Sequence, residues 1–87
     1  MGLEMVEITM DVEDHFGISL PDVDAGNIKT YGDLVDLVAE IVAQTHPDRD
    51  TKLVDSYLRN MLINEYSIKP IHITRDAELY GPNLNLG

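Results

Sequence analysis

Five carboxylates between positions 4 and 14 form the most concentrated group of chemically active side chains in this sequence. They are Glu4, Glu7, Asp11, Glu13 and Asp14, with no lysine or arginine among them. On a helix, positions 4, 7, 11 and 14 share one face, because residues three or four apart are neighbours. Such a face is either a solvated surface or a docking strip for a partner lined with Lys and Arg. The pattern therefore indicates electrostatic binding and supplies no nucleophile.

The formal charge of −10 is carried by the first fifty residues. Residues 1–50 contain 12 acidic and 2 basic side chains, whereas residues 51–87 contain 4 of each and are neutral. Nucleic acid binding needs the opposite sign, because Lys and Arg contacts to phosphates supply most of its affinity. We therefore expect basic protein surfaces as partners and no nucleic acid.

Nucleophiles and metal ligands are sparse in this chain. The absence of cysteine excludes a disulfide framework and a thiolate zinc site, and it fits a reducing, cytoplasmic compartment. His15, His46 and His72 share no ligand spacing, so no metal site is predicted. No acid and base are paired around a positioned nucleophile, and no long apolar run is present. We expect neither an enzyme nor a membrane protein.

Apolar periodicity predicts that the carboxylates lie on the outer face of an amphipathic helix from Leu3 to Phe16. Gly17 is expected to end this helix, and Asp24 is a suitable cap for a short helical turn through Ile28. The apolar positions of the long helix recur at spacings of four, opposite the carboxylates: Ile8, Val12 and Phe16.

Two further main helices are expected. Thr30 and Asp33 form a variant of the capping box, which predicts a helix from Tyr31 to about Gln44. A polar break containing Pro47 follows. The next helix is expected to end near Tyr66, with a cap at Asp50 or Thr51 and one apolar face: Val54, Tyr57, Leu58, Met61 and Leu62.

The segment from Ser67 to Gly87 is too long for an ordinary connection. It nevertheless contains apolar residues at irregular spacing: Ile68, Ile71, Ile73, Ala77, Leu79, Leu84 and Leu86. Burying even three of them would contribute roughly 1.5 to 3 kcal/mol each before entropy. We therefore expect an ordered loop that lies across the helices.

Several short motifs resemble the acyl carrier protein family, in two blocks whose order is reversed. Ile-Thr-Arg-Asp-Ala-Glu-Leu at 73–79 resembles the family loop I-T-x-D-A-x-L, and Asn-Leu-Asn-Leu-Gly at 83–87 resembles the approach to the family's cofactor serine. Residues 3–8 are similar to those that follow the serine. Phe-Gly-Ile-Ser-Leu-Pro-Asp at 16–22 resembles F-G-I-x-I-P-D, and residues 28–35 resemble the stretch leading into the last helix.

The resemblance implies one circularly permuted domain with the fold of a small four-helix bundle, made of three main helices, one short helix and a long ordered loop. Residues 1–50 resemble the family's second to fourth helices, and residues 51–87 resemble its first helix and following loop. The sequence does not distinguish deliberate permutation from a gene rearrangement. A monomer is expected, and a domain-swapped dimer remains an alternative because the chain is opened where the family is continuous.

The resemblance also locates a degenerate attachment position at Gly2 and Gly87. Members of the family carry 4′-phosphopantetheine on a serine that opens the second helix, and joining the ends of this chain gives Leu86-Gly87-Met1-Gly2-Leu3 at that place. Neither glycine nor methionine has a hydroxyl, so no cofactor is expected. Ser56 and Ser19 are weaker alternatives, and Ser56 resembles a residue of the family's first helix.

The functional residues are likewise implied by the resemblance. Seven positions match those that the family presents to partners: Leu3, Glu4, Glu7, Met10, Asp11, Glu13 and Asp14. Five positions match the lining of the acyl pocket: Val6, Ile8, Val12, Ile28 and Leu34. The leading hypothesis is a non-carrying domain of fatty acid or polyketide-type acyl transfer that docks on acyl-transfer or carrier-recognising proteins. The alternative is an acidic helical interaction or regulatory module unrelated to acyl transfer.

Overall fold

The computed structural model describes residues 3–20 and 28–86, and within these residues the fold is all-helical. Three α-helices occur in the order α1 (Leu3–Phe16), α2 (Tyr31–Thr45) and α3 (Lys52–Tyr66), and a 3₁₀ turn follows at Pro70–His72. The predicted fold class and its three main helices are confirmed. The short turn predicted from Asp24 lies outside the described residues.

The helices pack through their apolar faces into one core. The three α-helices and the segments after α1 and α3 contribute to it: Met5, Ile8, Val12 and Phe16 from α1; Tyr31, Leu34, Val35, Val38 and Val42 from α2; Val54, Leu58, Met61 and Leu62 from α3; Ile18 and Leu20 after α1; and Ile73, Leu79, Leu84 and Leu86 after α3. Within the part of the chain that the structure describes, no helix is both long and apolar enough to span a membrane.

The end of α1 is held by the connection between α2 and α3. Gly17 has φ 64°, the left-handed conformation that ends a helix at little cost for glycine. Arg49 donates to the carbonyl of Phe16 at 3.0 Å, and Nε2 of His46 lies 3.2 Å from the carbonyl oxygen of Gly17. Because both contacts reach carbonyls left free at the helix end, this connection fixes the orientation of α1.

The predicted capping box at the start of α2 is confirmed. The Thr30 side chain accepts from the backbone N–H of Asp33 at 3.1 Å, and the Asp33 carboxylate accepts from Thr30 at 3.2 Å and from Lys29 at 3.1 Å. These two backbone donors lower the pKa of Asp33. At the start of α3, Asp50 Oδ1 accepts from the N–H of Lys52 at 2.9 Å.

The long segment after α3 is ordered and lies across the helix starts, as predicted. The backbone amide of Gly32 donates to the carbonyl of Arg75 at 3.0 Å. A Cβ at Gly32 would come within 2.9 Å of that carbonyl oxygen, so glycine is needed for the close approach. Ile71 departs from the prediction, because its side chain is 78% exposed.

Candidate docking surface

The solvent side of α1 presents carboxylates and two exposed apolar side chains. Glu4, Glu7 and Asp14 are exposed, and Asp11 is half-buried. Met10 is 60% exposed and Val6 is 41% exposed. This arrangement follows from the period of the helix, because Met5, Ile8 and Val12 occupy the inner face. The helix therefore displays an apolar centre surrounded by negative charge.

A groove runs between this face and the end of α3. Its volume is about 390 Å³, and it is lined by Glu7, Met10, Asp11, Glu65 and Tyr66. The Tyr66 hydroxyl donates to Glu7 Oε2 at 3.4 Å, a long contact. Partial burial, together with the nearby Glu7 carboxylate, raises the pKa of Tyr66 to about 12. The tyrosine therefore remains a neutral donor at physiological pH.

Lys and Arg side chains do not neutralise this groove within the described residues. The ion pairs described there join Arg59 to Asp55 at 3.7 Å and Arg75 to Asp36 at 2.7 Å. Both lie outside the groove. The carboxylates of α1 therefore keep their charge available to another molecule.

Glu13 differs from the other carboxylates that were expected to bind partners. Its side chain is half-buried, and Oε2 accepts from the backbone N–H of Leu20 at 2.7 Å. This bond fastens the chain that leaves α1, so Glu13 contributes to the fold. Leu3 lies in the helix, but its side chain is outside the described part.

The expected acyl-pocket residues do not all face inward. Ile8, Val12 and Leu34 are buried, and Ile28 is half-buried. Val6 differs from these four because its side chain is 41% exposed, and its expected place in the acyl pocket stays a prediction. Met5 takes the inner position three residues before Ile8, which turns Val6 toward solvent.

The two serines named as alternative attachment positions lie within or after a helix. Ser56 is exposed within α3, and Ser19 is exposed after α1, so neither opens a helix. Gly2 and Gly87 lie outside the described residues. The N–H of Met5 nevertheless donates to the carbonyl of Leu86 at 3.2 Å, so the two described ends of the chain meet.

Two of the three histidines make side-chain contacts within the fold. His15 stacks on Tyr57 with ring centroids 3.8 Å apart, and His46 contacts the end of α1. In the described ranges, no three His, Cys, Asp or Glu side chains are grouped to hold a metal ion.

Glu65 and Tyr66 are the surface residues that sequence reasoning missed. They belong to α3, and their proximity to α1 depends on how the two helices pack. One signal was available in the sequence: Tyr66 lies four residues after the apolar Leu62, which places it on the packed side of the helix.

Comparisons with known proteins identify relatives for part of the chain. A 38-residue region is 46% identical to an acyl carrier protein of Acidothermus cellulolyticus and covers 44% of this chain and 45% of that protein. A 37-residue region is 47% identical to an acyl carrier protein of Exiguobacterium sibiricum, covering 42% of this chain and 47% of the relative. A 40-residue region is 38% identical to the meromycolate extension acyl carrier protein of Mycobacterium leprae. This region covers 46% of this chain and 35% of that protein.

The matched regions span less than half the length of these curated relatives. No family model matches the chain, and no solved structure matches it. The relatives agree in name, and the all-helical fold is consistent with them. Over somewhat less than half its length, the chain is therefore similar to acyl carrier proteins.

Proposed function

We propose that this protein is an acyl-carrier-type docking module that carries no acyl group of its own. It presents α1 to the basic surfaces of acyl-transfer or carrier-recognising proteins and performs no catalysis. The observation that carries the proposal is the exposed Met10 side chain among carboxylates that have no basic partner within the described residues. Apolar contact would supply affinity, and the negative field would supply orientation and encounter rate.

The proposal includes a circular permutation of the family's order. The bond from Met5 N–H to the Leu86 carbonyl supports it, because this contact joins the two blocks where the family chain is continuous. The lengths of the matches support it as well. A linear comparison with an unpermuted relative aligns one block at a time, and the matches span 37 to 43 residues.

The absence of an attached cofactor follows from the residues at the junction. The family group is held by a phosphate ester to a serine hydroxyl, and Gly87, Met1 and Gly2 have no hydroxyl. The available residues do not fit 4′-phosphopantetheine, so we derive no step through it. Intact mass after incubation with coenzyme A and a phosphopantetheinyl transferase of broad specificity should be unchanged. An added phosphopantetheine mass, mapped to Ser56 or Ser19, would contradict this part of the proposal.

Docking can be tested with the same transferase as a basic probe. We expect Glu7→Lys to weaken binding at low salt by about tenfold, because it reverses a charge in the groove. The matched control is Glu40→Lys, an equal charge change at an exposed position of α2. Affinity of the wild type should fall steeply with salt. Equal losses of affinity in Glu7→Lys and Glu40→Lys would show that only the net charge of the protein matters. Binding that does not change with salt concentration would contradict an electrostatic docking face.

Failure of the transferase to bind, with retained binding to basic proteins outside acyl transfer, would favour the alternative of a general acidic interaction module. Circular dichroism of both charge-reversal variants is needed first. If Glu7→Lys alone loses helix, Asp14→Lys should be compared with Glu40→Lys instead, because Asp14 is also exposed on α1.

A further inference from the structure

Residues 73–79, here called the anchor, are bound to the start of α2 through the backbone. The amides of Tyr31 and Gly32 donate to carbonyls of the anchor at 2.8 and 3.0 Å. In return, the amide of Leu79 donates to the carbonyl of Lys29 at 2.9 Å. These bonds satisfy N–H groups that would otherwise be free at the helix start. The anchor is therefore part of the main packing unit.

Residues 80–86, here called the cap, are attached differently. Asn85 donates to the carbonyl of Gly81 at 2.7 Å, and Leu86 donates to the carbonyl of the last anchor residue at 2.8 Å. Both bonds stay within one continuous stretch of chain. Among the described residues, the backbone bond that connects the cap to a helix is the one from the N–H of Met5 to the carbonyl of Leu86, at 3.2 Å.

Side-chain burial holds the cap in place. Leu84 and Leu86 are 3% and 1% exposed and belong to the same core cluster as Met5 and Ile8. Asn85 between them has φ 48°, a left-handed conformation that is unfavourable for residues other than glycine, although asparagine tolerates it better than most. The two buried leucines therefore stabilise the closed cap, whereas its few external hydrogen bonds add little and the strained backbone at Asn85 destabilises it.

We propose that the cap opens and closes over the first turn of α1 as a unit while α2, α3 and the anchor stay folded. Local units with few external hydrogen bonds open at lower free energy than the whole molecule. Opening would free the N–H of Met5 and uncover its side chain. The cap is thus a conformational device that controls the order of the start of α1.

Native-state hydrogen exchange on the full chain tests the proposal. The cap probes are the amides of Met5 and Leu86, whose bonds cross the boundary of the cap, and the anchor probes are the hydrogen-bonded amides of Tyr31 and Gly32. We expect the cap probes to share one protection factor, at least about tenfold below that of the anchor probes, and to respond less to added urea. Equal protection and equal urea dependence in both sets would overturn the proposal.

Two truncations of buried leucines separate local opening from global unfolding. Leu58→Ala removes a side chain of α3 that stays packed when the cap opens, so it should speed exchange of the anchor probes by a larger factor than exchange of the cap probes. Leu86→Ala removes a side chain exposed in both the opened and the unfolded state, so it should speed both sets by the same factor. Acceleration of the cap and anchor probes by the same factor in Leu58→Ala would show that no separate opening exists.

A milder variant keeps the test valid if Leu58→Ala does not fold. Val54 is also completely buried in α3, and Val54→Ala removes fewer atoms. It should produce the same pattern with a smaller acceleration of the anchor probes. Equal acceleration of cap and anchor probes would again overturn the proposal.

Discussion

The neighbouring helices α1 and α3 have similar lengths but use their polar side chains in opposite ways. In α3, Asp55 accepts from the Tyr31 hydroxyl at 2.6 Å, and Arg59 donates to the carbonyl of Ile73 at 2.9 Å. In α1, Glu4 and Asp14 face solvent without a described partner. The comparison shows that charge on a helix can serve the fold or remain available for binding. Contacts to other elements distinguish the two cases.

The apolar residues of the two helices give the largest contrast. Leu58 of α3 is completely buried, whereas Met10 of α1 is 60% exposed. We expect Leu58→Ala to lower the free energy of unfolding by about 2 to 5 kcal/mol, because it leaves a cavity. Met10→Ala should change it by less than about 0.5 kcal/mol. Urea unfolding of both variants gives the values. A loss of several kcal/mol in Met10→Ala would place Met10 in the core and remove the apolar centre of the docking surface.

A smaller effect is expected where α3 binds α2. Tyr31→Phe removes the hydroxyl that donates to Asp55 Oδ1 at 2.6 Å and to the Asp55 carbonyl at 3.1 Å. The free energy of unfolding at neutral pH should fall by about 1 to 2 kcal/mol, because these bonds lie in a partly buried place. Urea unfolding measures the loss. An unchanged midpoint would mean that the contact between the Tyr31 hydroxyl and Asp55 of α3 contributes little to stability.

The pH dependence of this variant sharpens the same test. Burial, followed by the hydrogen bond to Asp55, raises the pKa of Tyr31 above its ordinary value. A raised pKa means that the contribution is complete below about pH 10, where tyrosine ionises in the unfolded chain, and is lost as pH rises from there toward the folded pKa. The stability gap between wild type and Tyr31→Phe should therefore narrow above that pH. If the difference in free energy of unfolding between wild type and Tyr31→Phe stays constant above about pH 10, the hydroxyl contact does not depend on the ionisation of Tyr31.

Local signals in the sequence were sufficient to predict most helix boundaries. Gly17 marked the end of α1, and the pair Thr30 and Asp33 marked the start of α2, because both act through neighbouring backbone groups. The exposure of Val6 was not recognised, although the helical period places Met5 on the inner face. The positions of Glu65 and Tyr66 beside α1 depend on packing between distant segments, and the local pattern places only Tyr66 on the packed side of α3.

The role of Glu13 was also not predictable from its local sequence. In sequence it belongs to the acidic group of α1, and only the folded chain brings Leu20 N–H to its carboxylate at 2.7 Å. The acidic group therefore contains both kinds of carboxylate, and a matched pair of substitutions can separate them.

Glu13→Ala and Glu7→Ala make the same chemical change in one helix, so helix propensity and net charge shift equally. Glu13→Ala should lower the free energy of unfolding by about 1 kcal/mol, because the Leu20 amide loses its acceptor. Glu7→Ala should stay within about 0.5 kcal/mol of the wild type, since its contact to Tyr66 is long and exposed. Urea unfolding and titration calorimetry with the transferase probe should give opposite orders: Glu13→Ala loses more stability, and Glu7→Ala loses more affinity. If one variant loses more of both, the acidic face of α1 does not divide into structural and docking carboxylates.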